Sequence, residues 1–407
     1  MASRKDSKGR KLKDGETERK DGRYQYRYSL GNGKRHTIYA KSLSELREKE
    51  QELQKDLSNN LITSSPKTTL NDVFKVYMKD KNELKLTTKN SYKFFYKSYI
   101  KDEIGSMKIK SIKYSDIRRL YSSLIADKGL KPSSVRTIHK ALRPIFTFAV
   151  RDGYIVSNPT EDVLKDLKKT YSLKKPKRHS LTIQEQEAFI NFIANSPQYN
   201  RLLPLFTVFL GTGCRVGELT GLRWEDCNFE DNTISVNHNL IYSKKADGKY
   251  GFYITTPKTD AGTRIIPMLK DVKNALLFER KRQMTEGFNQ TVVDGCKGFI
   301  FENINGSLYS GSAINKLINK ITEACNSEEV IRAEAEHREP LIIRHFSVHS
   351  LRHTFCTRFC ENETNLKVIQ EIMGHANIST TMDIYAEATK EKKAESFANL
   401  EGKIKII

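Results

Sequence analysis

The spacing of apolar and polar positions divides the 407 residues into three stretches, and the first predicts a small sheet with a helix. Over residues 22–40 apolar and polar positions alternate on both sides of a GNG turn, a pattern typical of a β-hairpin. The alternation places three tyrosines on one face and two arginines on the other: Tyr24, Tyr26, Tyr28, Arg23 and Arg27. A helix over 42–60 follows, because Ser42 and Glu45 have the spacing of a capping box.

The second stretch, from Leu70 to about Leu167, has helical periodicity. "TLNDVFKVYMKDK" repeats its apolar residues every three or four positions, and "KPSSVRTIHKALRPIFTFAVRDGYI" predicts one long amphipathic helix. Lysines alternate with tyrosines and phenylalanines, as in "KNSYKFFYKSYIK" over 89–101. The pattern therefore predicts an α-helical domain, preceded by a "TSSPKTT" linker.

The third stretch mixes helix and strand. "LTIQEQEAFINFIANS" predicts a capped helix, and residues 202–238 predict a helix, a turn, a second helix and a strand. Two alternating runs around a Pro, Gly and Asp turn predict a hairpin over 250–268. More helices follow, the last being "SFANL", and the β-prone "IKII" comes after them at 404–407. The expected fold class is multidomain α+β, with boundaries at 1–66, 67–170 and 171–407.

Charge is distributed very unevenly over these stretches. The chain carries a net charge of +21. Residues 67–175 hold 25 basic and 11 acidic side chains (net +14), whereas residues 1–66 carry +6 and the rest +1. A domain this basic beside a nearly neutral one favours a polyanion such as DNA or RNA as partner. The alternative, a basic surface that serves only solubility, seldom concentrates charge in this way.

Cysteine and hydropathy patterns exclude other classes. None of the six cysteines forms a C-x-x-C pair, which argues against zinc ribbons and redox motifs. No run of about eighteen apolar residues suits a membrane span, and "MASRKDSKGRKLKDGE" lacks the apolar segment of a secretory signal. We therefore expect a cytosolic protein with reduced cysteines.

"SVHSLRHTFCTRF", residues 347–359, offers two kinds of chemistry. His349 and His353 have the spacing of a zinc helix, but Ser350 stands where a metalloprotease has its glutamate. Arg352 would repel a dication and attract an anion. His349 and Arg352 are three apart and would share a helix face, so both could reach one phosphate. The alternative is an ordinary helix with surface His and Arg.

Three further motifs add matching groups. "GTGCRVGELTGLRW" places Arg215 at a turn that opens a helix, with Glu218 one turn on to hold its guanidinium. "TPKTDAGTR" places Lys258 in the predicted hairpin turn, and "MGHANISTTMDIYAEA" supplies His375 and Tyr385. Each has a plain alternative: a solvated turn lysine, a helix-capping histidine and a core tyrosine.

Together these six residues resemble the catalytic set of the tyrosine recombinases, the phage-type integrases. The residues, in chain order, are Arg215, Lys258, His349, Arg352, His375 and Tyr385. The N-terminal stretch is similar to the arm-binding domain of conjugative-transposon integrases, and 67–170 to their helical, SAM-like core-binding domain. The resemblance implies a three-stranded N-terminal sheet with a helix, and a mainly helical catalytic domain with a small antiparallel sheet.

The resemblance also implies a mechanism. Arg215 and Arg352 would clamp the scissile phosphate, with His349 and His375 as further donors and Glu218 in support. Tyr385 would attack the phosphorus to form a 3′-phosphotyrosine, and Lys258 would protonate the departing 5′-oxygen. Neither metal, cofactor nor ATP is expected, and His353 is assigned to structure. The activity implied is site-specific integration and excision of a mobile genetic element.

Double-stranded DNA is the implied partner, at core and arm sites. We expect eight basic residues to contact it: Arg23, Arg27, Lys34, Arg35, Lys93, Lys97, Arg136 and Lys140. The resemblance further implies a homotetramer on DNA, in the cytoplasm at the bacterial nucleoid. The C-terminal segment 387–407 would dock on a neighbour or on its own domain. Whether an excisionase or a host DNA-bending protein takes part is left open.

Three other activities are weighed against this one. A type IB topoisomerase shares the constellation, but a second DNA-binding module implies capture of two separated sites. A DNA-binding regulator with an idle site would not need Arg215, Arg352 and Tyr385 intact. A metal-dependent nuclease requires clustered carboxylates, which the motifs of the C-terminal half lack.

Overall fold

The computed structural model describes residues 4–29, 35–58, 61, 67–81, 83–171, 180–245, 248–257 and 260–388. The chain forms two compact units, 1–175 and 176–407. Within the described ranges no helix has the length and apolar character needed to cross a membrane.

The first unit begins with a three-stranded antiparallel sheet that carries one helix. Its strands are β1 (Glu16–Glu18), β2 (Tyr24–Ser29) and β3 (Arg35–Ala40), in that order, and helix α1 spans Leu43–Ser58. Tyr24 lies opposite Ala40 and packs against Leu43 and Leu46. The tyrosine face predicted for β2 is therefore the face that α1 covers. The predicted hairpin is confirmed, although its GNG turn lies outside the described residues.

Five α-helices follow in the described part of this unit. They are α2 (Leu70–Asp80), α3 (Leu86–Tyr99), α4 (Tyr114–Ala126), α5 (Pro132–Arg151) and α6 (Val163–Thr170). Thr69 and Asp72 form a capping box that opens α2. The longest helix, α5, buries Ile138, Leu142 and Phe146 in a core of its own, separate from the Tyr24 cluster. The all-helical prediction for this stretch is confirmed.

The second unit is mainly helical with two small sheets. Its helices are α7 (Ile183–Asn195), α8 (Leu203–Thr212), α9 (Val216–Thr220), α10 (Lys270–Glu286), α11 (Gly311–Ala335), α12 (Val348–Asn362), α13 (Leu366–Met373) and α14 (Ile378–Ala388). Its strands are β4 (Cys227–Asn228), β5 (Thr233–Val236), β6 (Asn239–Lys244), β7 (Tyr250–Thr255) and β8 (Arg264–Pro267). The predicted last helix "SFANL" and the tail "IKII" lie outside the described residues.

The predicted hairpin over 250–268 is wrong. Strand β7 pairs with β6, whereas β8 pairs with β5 in a separate sheet of order β4-β5-β8. The two strands also serve different cores, because Ile254 packs near Leu240 and Phe299 while Ile266 packs with Ile234. The alternating pattern correctly indicated two strands, but the partners were decided by the cores that their apolar residues join.

Helix α12 is tied to the start of the second unit by a buried hydroxyl. Thr354 Oγ1 donates to the Ser350 carbonyl at 2.8 Å and accepts the Leu181 N–H at 2.9 Å. One turn further along, Arg358 Nη2 donates to the Leu181 carbonyl at 3.0 Å. Both backbone groups of Leu181 are therefore bonded to α12, which fixes this helix against the core.

We expect Thr354→Val to destabilise the second unit by about 1–3 kcal/mol, because the Leu181 N–H would be buried without an acceptor. Trp224 is the only tryptophan in the sequence, so its fluorescence during urea unfolding of the full chain reports this unit selectively.

Thr322→Val is the matched control. The Thr322 hydroxyl is buried and has no hydrogen-bond partner in the part of the chain that the structure describes. Its replacement should leave stability unchanged or raise it by up to about 1 kcal/mol. Equal effects of the two substitutions would show that the bond to Leu181 contributes nothing.

Candidate active site

Arg215 stands where the chain makes a sharp turn between two helices. Helix α8 ends at Gly213, whose φ of 61° lies in the left-handed region. A Cβ at this position would lie 2.3 Å from Phe355 Cδ1, so only glycine fits. The turn makes Arg215 the N-cap of α9. The prediction that this arginine sits at a turn opening a helix is confirmed.

Glu218 holds Arg215 in place. Its Oε1 accepts from Arg215 Nη1 at 2.6 Å, and its Oε2 accepts the backbone N–H of Arg215 at 2.8 Å. The carboxylate is only 3% exposed. Its other partner is Arg264, whose Nη2 donates to Oε2 at 2.9 Å. One buried carboxylate thus binds two arginines.

A short backbone segment, 372–374, collects three arginines at consecutive carbonyls; we call it the carbonyl turn. The Ile372 carbonyl accepts from Arg264 Nε at 2.7 Å. The Met373 carbonyl accepts from Arg352 Nη2 at 2.5 Å, and that of Gly374 from Arg215 Nη2 at 2.7 Å. Because each guanidinium has its own carbonyl, all three are held in defined orientations around the end of α13.

Arg352 is more deeply buried than Arg215, the other predicted arginine at this turn. It is 8% exposed and uses Nη1 to donate to the Gly213 carbonyl at 2.6 Å. Burial, together with the charges of Arg215 and Arg264, lowers the pKa of Arg352 to about 10. It is therefore still protonated at neutral pH. Its two carbonyl bonds connect the turn at Gly213 with the carbonyl turn.

The cluster of Arg215, Arg264, Arg352 and Glu218 carries a net charge of +2. Burial works to raise the pKa of Glu218, but the hydrogen bond from Arg264 and the charges of Arg264 and Arg215 hold it at about 2. Glu218 is therefore ionised throughout the physiological range. Three cations and one anion in so small a volume create a strong positive potential, which suits a phosphate.

His375 follows the carbonyl turn directly and is 7% exposed. Its Nδ1 lies 3.0 Å from Thr381 Oγ1. Burial first, then the charges of Arg352 and Arg215, lower the pKa of His375 to about 4. The imidazole is therefore neutral at pH 7, so it can take part in hydrogen bonds without adding to the repulsion among the arginines.

The remaining predicted residues are placed as follows. His349 is exposed on the first turn of α12, and His353 is half-buried and close enough to His375 to lower its pKa. Tyr385 is half-buried on α14 and packs on a cluster that includes the Met373 side chain. Lys258 lies outside the described residues. The structure thus unites Arg215, Glu218, Arg352 and His375 around the carbonyl turn, and places Tyr385 on the helix that follows.

Arg264 was not among the residues predicted from the sequence. It ends the motif "TPKTDAGTR", in which Lys258 was the predicted residue. The side chain of Arg264 is 6% exposed, which is rare for an arginine without a partner. An arginine that opens the apolar strand "RIIP" was the available signal. In the described ranges no group of three or more His, Cys, Asp or Glu side chains could hold a metal ion.

Seven of the eight predicted DNA-binding residues are among the described residues of the first unit. Arg27 and Arg35 are exposed on the sheet face opposite α1, while Arg23 is exposed and paired with Asp21 at 2.8 Å. Lys34 lies outside the described residues. In the helical part, Lys93 and Lys97 are exposed one turn apart on α3. A cleft of about 520 Å³ between α5 and α6 is lined by Arg136, Lys140, Arg143, Lys165 and Lys168, among others.

The lowered pKa of His375 predicts how stability depends on pH. Unfolding frees the imidazole to take up a proton near its ordinary pKa of 6.5, whereas the folded state resists protonation down to about 4. The free energy of unfolding should therefore fall as the pH drops from 6.5 to 4. In His375→Gln, followed by Trp224 fluorescence, this decline should be shallower. His345→Gln, at an exposed position, is the control, and an unchanged slope in His375→Gln would contradict the assignment.

Comparison with known proteins places the chain in a family. The model of the Phage integrase family matches residues 179–392. The model described as DNA binding domain of tn916 integrase matches residues 1–57, and the Phage integrase N-terminal SAM-like domain matches residues 69–125. The three matches follow the order of the sheet, the helical part and the second unit.

Individual relatives agree over nearly the whole chain. The transposase from transposon Tn1545 of Streptococcus agalactiae is 30% identical over 399 residues, which cover 95% of this chain and 94% of that protein. A tyrosine recombinase XerC-like protein of Caldanaerobacter subterraneus is 29% identical and covers 94% of this chain and 97% of its own length. The Tn1549 transposon integrase, solved in complex with transposon right end DNA, is 28% identical with a TM-score of 0.70, and the match covers 82% of this chain and all of that one.

The cluster of Arg215, Arg352 and His375, the tyrosine on the helix that follows, and these matches along the full length lead to one conclusion: the chain belongs to the phage integrase family and is a tyrosine site-specific recombinase.

Proposed function

We propose that this recombinase is the integrase of a mobile genetic element, and that it cuts and rejoins DNA with the six residues named from the sequence. The observation that carries the proposal is the +2 cluster at the carbonyl turn, where Arg215 and Arg352 are held for a phosphate. The transposon names of the relatives support the assignment to a mobile element.

Arg215 and Arg352 act on the non-bridging oxygens of the scissile phosphate. Negative charge builds on these oxygens as a fifth oxygen approaches the phosphorus, and donors already fixed in place stabilise it best. Each guanidinium has two of its donors tied to the protein and further N–H groups left for a ligand. This charge takes the place that a metal ion has in other phosphoryl-transfer enzymes.

Tyr385 is the nucleophile. Its hydroxyl loses its proton to solvent, the phenolate oxygen forms a bond to phosphorus as the bond from phosphorus to the 5′-oxygen breaks, and Lys258 supplies the proton that the departing oxygen takes up. The product is a 3′-phosphotyrosine and a free 5′-hydroxyl. Attack by a second 5′-hydroxyl reverses the steps and releases the tyrosine, so strand exchange needs no ATP.

The two histidines complete the pocket. His375, next to the buried Arg352, is neutral. It therefore donates a hydrogen bond to the phosphate without adding a further positive charge to the cluster. His349 is three residues before Arg352 on α12 and donates from the solvent side, where the DNA approaches. Glu218 orients Arg215, and His353 belongs to the packing of α12.

The parts outside the catalytic domain bind DNA at separate sites. Residues 1–66 form the arm-site domain, in which Arg23, Arg27, Lys34 and Arg35 face the major groove. Residues 67–170 form the core-binding domain. Its predicted DNA-contacting residues on α3 and α5 bind phosphates: Lys93, Lys97, Arg136 and Lys140. Residues 171–407 form the catalytic domain. The matched family models over 1–57 and 69–125 support this division.

Recombination of two sites requires an assembly. We infer four protomers on two DNA sites in the cytoplasm, at the nucleoid, with the segment 387–407 docking on a neighbouring protomer or on its own domain. The solved complex of the similar Tn1549 integrase with circular intermediate DNA supports action on an excised, circular form of the element.

Tyr385→Phe should abolish covalent attachment to DNA while specific binding stays nearly unchanged, because the ring keeps its packing and loses only the hydroxyl. The substrates are overlapping double-stranded DNA fragments taken from both sides of the gene that encodes this protein. Adducts that survive denaturant are detected by gel mobility, and their positions map the cleavage site.

Tyr309→Phe, which removes a buried hydroxyl elsewhere in the same unit, is the control and should still form the adduct. A denaturant-resistant adduct in the Tyr385→Phe protein would overturn the nucleophile assignment. Relaxation of supercoiled DNA without exchange between two sites would point instead to a topoisomerase.

Adduct formation should persist in excess EDTA at the rate measured with Mg²⁺, because the arginine cluster already supplies the positive charge. The two rates are compared on the fragment mapped above, after dialysis of the protein against chelator. Loss of cleavage on chelation, restored by added Mg²⁺, would refute the metal-free mechanism.

A further inference from the structure

Arg264 is held by three acceptors at the back of the candidate active site. It opens strand β8, and its side chain is 6% exposed. Nε donates to the Ile372 carbonyl at 2.7 Å, Nη2 to Glu218 at 2.9 Å, and Nη1 to the Gly262 carbonyl at 3.3 Å. All three nitrogens are directed at protein acceptors and almost nothing of the side chain is exposed. Arg264 therefore donates its hydrogen bonds to other parts of the protein around the site, not to a ligand.

One of these bonds reaches Arg215 through a shared carboxylate. Glu218 Oε1 is occupied by Arg215 Nη1, and Oε2 is occupied by Arg264 together with the Arg215 amide. Among these three bonds, only the one from Arg264 comes from another part of the chain, so it anchors the carboxylate, and with it the Nη1 edge of Arg215, to strand β8. Without Arg264, the Glu218 carboxylate would keep only its contacts to Arg215 and would no longer be held by strand β8.

A second bond reaches the carbonyl turn. Arg264 is bonded to Ile372, the residue just before the two whose carbonyls hold Arg352 and Arg215. The packing there is close, because a Cβ on Gly374 would lie 2.8 Å from the Ala261 carbonyl oxygen and 3.0 Å from Arg264 Nη1. Strand β8 therefore supports the turn from behind, and Arg264 is the side chain that connects them.

We propose that Arg264 is a positioning residue for strand cleavage, which sets the donor geometry of Arg215 and Arg352 by fixing both Glu218 and the carbonyl turn. The proposal rests on the proposed function of those two arginines as the phosphate clamp. Arg264 does not touch the phosphate itself. Its loss changes the rate at which bound DNA is cut rather than the amount of DNA that is bound.

The first test compares Arg264→Lys and Arg264→Gln with the wild-type chain on the mapped cleavage fragment. Lysine keeps the charge but cannot donate to three acceptors in different directions. We expect single-turnover adduct formation to fall by about 30-fold or more in both variants, the loss typical of a disturbed oxyanion donor. The Kd for the same fragment should stay within about threefold, because the phosphate contacts of the first unit are untouched.

The second test separates positioning from general damage. A methylphosphonate at the scissile position replaces one non-bridging oxygen by a methyl group and removes the negative charge that the clamp stabilises. If Arg264 acts through Arg215 and Arg352, the variants and the wild type should cut this neutral substrate at rates within about threefold of each other. A defect that is equally large on both substrates would overturn the proposal.

Arg223→Lys is the matched control. Arg223 is also poorly exposed and bound bidentately by a buried carboxylate, Asp226, in the same unit but outside the cluster. Its replacement should leave the cleavage rate on both substrates close to wild type. An equal loss there would mean that any buried ion pair in this unit has the same effect, which contradicts a specific role for Arg264.

Folding and the underlying mechanism are checked separately. Trp224 fluorescence shows whether each variant keeps its folded second unit, and loss of that unit in both Arg264 variants would assign the residue to the fold and overturn the proposal.

Wild-type adduct formation that disappears in Tyr385→Phe establishes the proposed function on its own. If the wild-type protein forms no adduct, the proposed function is wrong. If the wild type forms the adduct and the Arg264 variants cleave at the normal rate, only the positioning role of Arg264 is contradicted.

Discussion

The catalytic unit depends on holding three arginines close together with a single carboxylate between them. Like charges at such separations repel strongly when water is excluded, and the guanidinium groups of Arg264 and Arg352 also lose hydration on burial. The structure offsets both costs with Glu218 and with three successive backbone carbonyls, at Ile372, Met373 and Gly374. A carbonyl partner stabilises a guanidinium without neutralising it, so the cluster keeps a net charge of +2. A phosphate that enters it completes the compensation, which is why the site suits DNA and why its geometry exists before DNA binds.

The rest of the second unit can be understood as a frame for this cluster. Two left-handed glycines, Gly213 and Gly374, end α8 and α13 so that their last carbonyls point at guanidinium groups. Helix α12 brings Arg352 to both turns and is itself fixed by Thr354 to the Leu181 backbone. Helix α14 then starts three residues after His375 and carries Tyr385. Tyr385 is thus linked to the arginines through one short, tightly packed segment. A change in that segment affects the arginines and Tyr385 together.

Local sequence was sufficient for elements whose signals are short in range. The capping residues Thr182 and Glu185 open α7, and the tyrosine alternation in β2 faces α1, both as the pattern predicts. The pairing of Arg215 with Glu218 also follows from a spacing of three residues at a helix start. The hairpin over 250–268 failed because strand pairing depends on which core receives the apolar side chains. Ile254 and Ile266 belong to different hydrophobic cores. The alternation of apolar residues within a strand carries no information about which core the strand joins.

The sequence by itself determined the chemistry of this protein, because recombinase motifs keep residue type and local spacing together: Arg215 before Glu218, His349 before Arg352, and His375 ten residues before Tyr385. It also determined that the first unit is the basic one. Only the tertiary structure decided how these groups are held, through Arg264 and the carbonyl turn. The bond from Arg264 to Ile372 joins residues 108 positions apart, and the bond from Arg352 to Gly213 joins residues 139 apart. Backbone carbonyls occur at every residue and have no sequence signature, so their role as arginine partners appears only when the chain has folded.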